Sequence, residues 1–152
     1  GWARGLPPAW DNEANWPVAG PLLADPAFAP GMNDIQAARH HLGELLRIRA
    51  SSPWLRLESS AEIQDSLEFL NTGPGQVPGL IVMSLGDEAG GLVIGCNATG
   101  ESQRFTADPK AYELHPVQKA SADPVVRPAR YDEGAGTFHV PPRTTAVFVR
   151  GK

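Results

Sequence analysis

The residues best suited to ligand chemistry lie near the start of the chain. Trp2, Trp10 and Trp16 are interspersed with amide and carboxylate side chains at positions 11, 12, 13 and 15. An indole face packs against the C–H bonds of a sugar ring, while amides and carboxylates hydrogen-bond its hydroxyls. The same tryptophans could instead anchor a long loop to a core. Taken alone, the residues favour this second interpretation.

Other candidate chemistry is weaker. His40 and His41 are adjacent on a predicted helix, so they point in different directions and do not form an i, i+4 metal pair. His115 and His139 are single residues in strand-like segments, where packed or surface positions are expected. No pair of carboxylates stands in a recognisable catalytic context, and Asn97-Ala98-Thr99, although it fits the glycosylation sequon, is interpreted as a plain turn. We expect no metal and no cofactor in this chain.

Composition limits the function classes. The 152 residues carry a net charge of −4, which gives no electrostatic case for binding nucleic acid or an anionic membrane surface. No apolar run approaches the roughly 20 residues that span a bilayer. The single cysteine, Cys96, lies in an apolar segment and is predicted to be a buried, unreactive thiol.

One helix is predicted, from about Asp34 to Ala50. Asn33 is the expected N-cap, with Gln36 three residues later as a capping-box partner. An i, i+3, i+4, i+7 pattern gives this helix an apolar face made by Ile35, Ala38, Leu42, Leu45 and Leu46. The preceding residues, 1–31, are rich in proline and tryptophan and are predicted to be ordered but irregular.

From Leu55 onward the pattern is that of β-strands. Glu62 to Leu70 alternates between apolar and polar residues and predicts a strand, followed by a long Gly/Pro loop from Asn71 to Gly79. The further predicted strands are Leu80–Leu85, Leu92–Asn97, Gln103–Thr106, Tyr112–Leu114, Thr137–Val140 and Thr145–Arg150. Short strands separated by turn signals at this spacing indicate an antiparallel β-sandwich.

This layout is lopsided, because one amphipathic helix and an aromatic segment precede a complete β domain. The apolar face of a lone helix must be buried somewhere. Either the helix packs on the sandwich, or it belongs to a larger domain whose other elements are missing.

A set of sequence blocks resembles the C-terminal part of plant-type limit dextrinases, the starch-debranching members of the pullulanase family. They cover nearly the whole chain in order, and Glu-Leu-His-Pro-Val-Gln points to the plant and algal branch. The blocks are Gly5–Pro8, Asn12–Pro17, Asp25–Pro30, Leu46–Pro53, Phe69–Pro74, Val77–Met83, Tyr112–Gln118 and Phe138–Thr144.

The resemblance implies a mainly β fold: an antiparallel β-sandwich, the C domain of an α-amylase-type enzyme, preceded by the end of a (β/α)8 barrel. Residues 1–53 would be the loop after the last barrel strand plus the last barrel helix. Residues 54–152 would be the C-terminal sandwich. The helix would then dock on the barrel, and the isolated chain should associate with the upstream portion or aggregate.

The resemblance also implies a function for the parent protein. It would be a retaining glycoside hydrolase that cleaves α-1,6 branch linkages in limit dextrins and pullulan. The catalytic carboxylates would lie upstream of Gly1, so this chain alone would be inert, and any calcium would belong to upstream parts. The expected partners are the upstream barrel and a branched α-glucan, and the expected location is the plastid. The alternative is a non-catalytic starch-binding or purely structural sandwich.

The same resemblance suggests substrate contacts. Barrel enzymes place such contacts on the loops after the strands. Trp2 falls in a segment that reads Asn-Asn-Trp in the family, with Gly1 in place of an asparagine. Asn15 and Trp16 follow in the same loop, so Trp2, Asn15 and Trp16 are the predicted substrate-binding residues.

Overall fold

The computed structural model describes residues 8–88, 90–107 and 110–150. The chain divides into two compact units, Gly1–Arg39 and His40–Lys152. The described part of the first unit is helical, and the second unit contains all the described strands.

Short helices make up the described part of the first unit. They are α1 (Ala9–Asn12), a 3-10 turn (Glu13–Asn15), α2 (Trp16–Ala24), a second 3-10 turn (Pro26–Phe28) and the first turns of α3 (Met32–Ser51). Proline stands at the start of α2 and of the second turn, where its missing N–H costs no helical hydrogen bond. The segment predicted to be irregular therefore contains local helices, because its prolines lie where helices tolerate them, apart from Pro21 inside α2.

Helix α3 confirms the predicted helix, with bounds Met32–Ser51. The predicted N-cap is wrong, because Asn33 lies inside the helix and Gln36 therefore is not the capping-box partner. Instead, the Asp34 carboxylate accepts a hydrogen bond of 2.7 Å from the backbone N–H of Gly31. A carboxylate in the first turn also complements the positive end of the helix dipole.

The strand predicted over Glu62–Leu70 is wrong in its first half. Residues Ser60–Ser66 form helix α4, and only Leu67–Phe69 form strand β1. The cause is a capping box: Ser59 Oγ accepts from the backbone N–H of Glu62, and the Glu62 carboxylate accepts from the N–H of Ser59. These bonds satisfy the free N–H groups of a helical first turn, which a strand-like alternation of apolar residues does not reveal.

The second unit contains the predicted β-sandwich. Its strands after β1 are β2 (Leu80–Gly86), β3 (Gly91–Asn97), β4 (Gln103–Thr106), β5 (Tyr112–Leu114), β6 (Arg130–Asp132), β7 (Thr137–Val140) and β8 (Thr144–Arg150). A five-stranded sheet has the order β1-β2-β3-β8-β5, a three-stranded sheet has the order β4-β7-β6, and all pairs are antiparallel. Six predicted strands are confirmed, while β6 and the short helix α5 (Pro116–Lys119) were not predicted.

Apolar residues fill both faces of the five-stranded sheet. Between the sheets, Phe138 and Phe148 are fully buried and their rings meet edge to face at 4.9 Å. On the outer face, Ile48 of α3 packs with Leu92, Ile94 and Val147. The helix is thus bound to the sheet through its C-terminal half.

Glycine is required at one contact between the two sheets. A Cβ atom built on Gly95 would lie 2.8 Å from the Phe105 ring and 2.9 Å from a Val140 methyl. Such contacts are shorter than close-packed side chains accept. A side chain at position 95 would therefore force Phe105 and Val140 to move.

The long Gly/Pro loop is held by one side chain at its base. Asn71 accepts from the N–H of Val77 at 2.8 Å and donates to the carbonyls of Val77 and Leu80. These bonds close the loop just before β2, so the loop is a fixed connection between β1 and β2.

Candidate functional site

The predicted sugar-binding segment begins with a small polar network. Asn15 Nδ2 donates to Asn12 Oδ1 at 3.3 Å, and Asn12 Nδ2 donates to the Asp11 carboxylate at 3.0 Å. Asn15 is exposed, whereas Trp16 is half-buried at the start of α2. Trp2 lies outside the described residues. Within the described part, the structure brings Asn15 close to the other two polar groups.

Trp10 is the most exposed large apolar side chain in the described segment, at 86%. An indole in that state costs the chain hydrophobic free energy unless a partner covers it. The sequence prediction counted Trp10 among the aromatic residues but not among the substrate contacts. Its exposure makes its aromatic face available to a ligand or to another part of a larger protein.

A second candidate site lies where α3 meets the sandwich. The Glu44 side chain is buried and accepts two hydrogen bonds, from Ser121 Oγ at 2.6 Å and from the backbone N–H of Ala122 at 3.0 Å. Burial acts to raise the pKa of Glu44, but these hydrogen bonds, with the charges of Arg47 and His41, leave that pKa below its ordinary value. Glu44 is therefore ionised at neutral pH and ties the helix to a loop 77 residues away.

His115 makes the neighbouring contact between the helix and the sandwich. Its Nδ1 accepts from the N–H of Val117 at 3.2 Å, so the proton of the neutral ring is on Nε2. Nε2 then donates to Ser51 Oγ at 2.9 Å, and Ser51 donates its own proton to the carbonyl of Ile48 at 2.7 Å. Burial lowers the pKa of His115 and keeps the ring neutral.

This tautomer excludes a hydrolytic serine–histidine pair. A catalytic histidine must accept the serine proton, but here the histidine donates and the serine proton is bound to the helix backbone. The contact between Ser51 and His115 is structural: it fixes the last turn of α3 against the entry to α5.

Gln118 completes the junction by extending the sheet with its side chain. Pro116 has no N–H and ends the pairing of β5 with β8. The Gln118 amide takes over, donating to the Thr145 carbonyl at 2.8 Å and accepting from the Val147 N–H at 2.7 Å. His115 contacts α3 and Gln118 contacts β8, and both residues belong to the Glu-Leu-His-Pro-Val-Gln block. The block therefore connects the helix to the five-stranded sheet.

The sequon is a structural turn, as predicted. Asn97 is 3% exposed and donates to the carbonyls of Glu101, Val140 and Pro141. Its Oδ1 accepts from the N–H and the hydroxyl of Thr99. The amide nitrogen that a glycan would need is already used inside the fold.

The described residues contain no group of three or more His, Cys, Asp or Glu side chains arranged to hold a metal ion. None of the helices in residues 8–88, 90–107 and 110–150 is long and apolar enough to cross a membrane. Cys96 is partly buried and packs against the outer-face cluster around Ile48. Cys96 therefore contributes to hydrophobic packing on this face of the sheet.

Comparison with known proteins places these features in a family. The family model described as "Alpha-1,6-glucosidases, pullulanase-type, C-terminal" matches residues 1–151. "Pullulanase 1, chloroplastic" of Arabidopsis thaliana is 41% identical over 167 residues, which cover 99% of this chain and 17% of that protein. "Pullulanase" of Klebsiella pneumoniae is 26% identical over 155 residues, which cover 95% of this chain and 14% of that protein.

Solved structures agree on the fold. The maltotriose complex of PulA from Klebsiella pneumoniae superposes with a TM-score of 0.79 at 26% identity, covering 97% of this chain and 17% of that one. Apo pullulanase from the same organism gives 0.78, with the same identity and coverage. The chain thus spans about a sixth of the length of these relatives and neighbours.

Proposed function

This chain belongs to the C-terminal family of pullulanase-type α-1,6-glucosidases, and from this we propose that it is the C-terminal part of a debranching glycoside hydrolase. The parent protein would cleave α-1,6 branch linkages in limit dextrins and pullulan with retention of configuration. The catalytic carboxylates would be supplied by an upstream part of the polypeptide. The chloroplastic relative at 41% identity supports a plastid location for the parent.

The observation that carries this proposal is that one face of helix α3 is buried against the sandwich and the opposite face is exposed. Glu44 and Ile48 are buried against the sandwich. Leu42 and Leu46 lie two residues before them, about 200° around the helix, and are 58% and 57% exposed. One face of α3 is hydrogen-bonded to the sandwich, and the other face exposes leucines. This is the arrangement expected of a helix that packs between two domains. In the proposal, residues 1–53 end the barrel, residues 54–152 are the C domain, and the leucines pack on the barrel.

The alternative of a starch-binding module needs an exposed aromatic platform. The aromatic rings between the sheets pack on one another instead, with centroid separations of 4.6–5.4 Å. Phe69 is 49% exposed, but a single ring does not make a platform. The packing therefore favours a structural role for the sandwich.

We place the substrate contacts at Trp2, Asn15 and Trp16, supported by the polar network around Asn15. In the full-length parent, Asn15→Ala and Trp16→Ala should raise KM for a branched dextrin with little change in kcat, the signature of lost uniform binding. Trp10→Ala is the matched aromatic control. A KM effect confined to Trp10→Ala would show that the assignment is wrong.

The docking test uses the chain and the separately produced upstream portion. The wild-type chain should bind the upstream portion and restore pullulan hydrolysis, whereas each part alone should be inactive. Leu42→Glu with Leu46→Glu should abolish binding, because two carboxylates would then be buried without partners. Ile63→Glu, at an apolar side chain of α4 that is 41% exposed, is the matched control and should bind normally. Debranching by the chain alone would refute the proposal.

A further inference from the structure

The outer face of the three-stranded sheet carries a row of basic side chains. Arg104 of β4, His139 of β7 and Arg130 of β6 are direct cross-strand partners, with Arg104 opposite His139 and Arg130 opposite His139. Neighbouring strands lie about 4.8 Å apart. The two arginines therefore flank the imidazole at a distance that lets both guanidinium groups reach one small ligand above it.

The arginines of this row have no protein partner in the described part of the chain. Across residues 8–88, 90–107 and 110–150, neither Arg104 nor Arg130 makes a hydrogen bond or an ion pair. Both are exposed, whereas His139 is half-buried. Arg104 and Arg130 lie on opposite sides of His139, so an anion above the imidazole would be attracted by both guanidinium charges without breaking an existing protein contact.

The row lies in a recess with a mixed lining. The recess has a volume of about 440 Å³, within the range of small-molecule sites. Ser102 adds a hydroxyl at one side, and Val125, Pro128 and Pro142 form an apolar rim. Two planar guanidinium groups match the geometry of a tetrahedral oxyanion, and the rim offers a surface for a carbon skeleton attached to it.

We propose that Arg104, His139 and Arg130 form a binding site for a phosphate-type oxyanion, with the phosphate monoester of a small sugar as the ligand class. The two arginines would bind the phosphoryl oxygens. His139 would donate a further hydrogen bond, and the apolar rim would contact the organic part. This site is separate from the proposed debranching function, since neither depends on the other.

The electrostatics of His139 give the site a pH signature. Burial, then Arg130 and Arg104, lower the pKa of His139, while Asp132 on the same face acts to raise it. The ring is therefore neutral at neutral pH in the free protein. A bound dianion favours the imidazolium, so anion affinity should increase as the pH falls through the pKa of His139 in the complex.

The test is calorimetric titration of the full-length parent protein with sulfate, inorganic phosphate and glucose 6-phosphate. Sulfate isolates the protein's own titration, because its charge is constant over the range in which a phosphate monoester, with a second pKa of about 6, changes charge. We expect saturable binding of all three, tightest for glucose 6-phosphate, and at least a tenfold loss for Arg104→Ala with Arg130→Ala. The corresponding lysine pair should bind with intermediate affinity, and His139→Asn should remove the pH dependence of sulfate binding.

Arg127→Ala is the matched control, because Arg127 is exposed and does not line the recess. It should bind all three anions as the wild type does. Absence of saturable binding in the millimolar range would overturn the proposal. So would equal losses in Arg127→Ala and in the paired variant, or a loss of parent stability without any anion effect, which would indicate that an acidic segment of the parent covers the row.

Discussion

Glu44→Gln tests the junction between α3 and the sandwich. The wild-type carboxylate accepts a 2.6 Å bond from Ser121 and a 3.0 Å bond from the Ala122 N–H. Glutamine has one acceptor oxygen, so its amide N–H₂ must face one of these donors. Hydrogen bonds to charged groups contribute about 1.5–3 kcal/mol and neutral ones about 0.5–1.5 kcal/mol. Replacing two charged acceptor contacts by one neutral contact should lower the free energy of unfolding by about 3.5 kcal/mol at pH 7, taking the midpoints of these ranges.

The pH dependence makes this prediction specific. The pKa of Glu44 is lowered in the folded chain, so its contribution is fully present above the unfolded value of about 4.3. The contribution is lost as the pH falls through the folded pKa. Urea denaturation of the wild type and of Glu44→Gln should therefore show a stability difference at pH 7 that shrinks below pH ~4.3.

Glu113→Gln is the matched control, because Glu113 pairs with Lys119 at 2.6 Å but both side chains are about half exposed. An exposed pair contributes about 0–1 kcal/mol, so this variant should change stability little. A Glu44→Gln protein as stable as the wild type at pH 7, or a difference that is unchanged in acid, would refute the reasoning.

Three further changes probe the sandwich. Asn97→Ala removes the Nδ2 donor from the carbonyls of Val140 and Pro141, while the Glu101 carbonyl still accepts from the Thr99 hydroxyl. Because each buried unsatisfied group costs about 1–3 kcal/mol, the variant should be destabilised by about 3 kcal/mol; chemical denaturation measures this, and a neutral effect would contradict it. The lowered pKa of His115 means that its contribution is present above the unfolded pKa of about 6.5 and is lost as the pH falls below it. His115→Asn should remove part of the acid-side slope between pH ~7 and ~5, and an unchanged slope would count against the assignment. Gly95→Ala places a methyl group against Phe105 and should lower the free energy of unfolding by about 1–3 kcal/mol, as overpacked sites do. The same denaturation experiment should show a lower denaturant midpoint. Gly100→Ala is the control, because no atom lies within 4 Å of the added Cβ.

The strands were largely predictable because their signals are local. Leu80, Val82 and their neighbours form apolar runs bounded by glycine turns, and such runs fold as strands when a second sheet covers them. β6 was missed because Arg130-Tyr131-Asp132 contains a single apolar residue. The aromatic contacts of Tyr131 with Phe138, at 4.6 Å, and with Tyr112, at 5.4 Å, show that it belongs to the core.

The errors occur where a side chain competes with the apolar pattern. Ile63, Leu67 and Phe69 have the spacing of a strand. However, Ser59 and Glu62 cap a helix, and the first five residues of the predicted strand, 62–66, belong to that helix. A capping box preceding the alternation was the signal that could have corrected this prediction. The Glu44–Ser121 bond is different, because no local pattern relates residues 77 positions apart.

Helix α3 shows why an amphipathic pattern does not identify the partner it will face. The leucine spacing predicts an apolar face, yet within this chain the buried residues of the helix are Glu44 and Ile48, and Leu42 and Leu46 are exposed. A hydrophobic stripe indicates only that burial is favourable somewhere. The sandwich contacts the opposite face through the Glu44 carboxylate, the His115 ring and the Ile48 side chain. These contacts fix the position of the helix but bury little apolar surface. The leucines are thereby directed away from the sandwich, which is the arrangement expected of a helix that joins a C domain to a larger body.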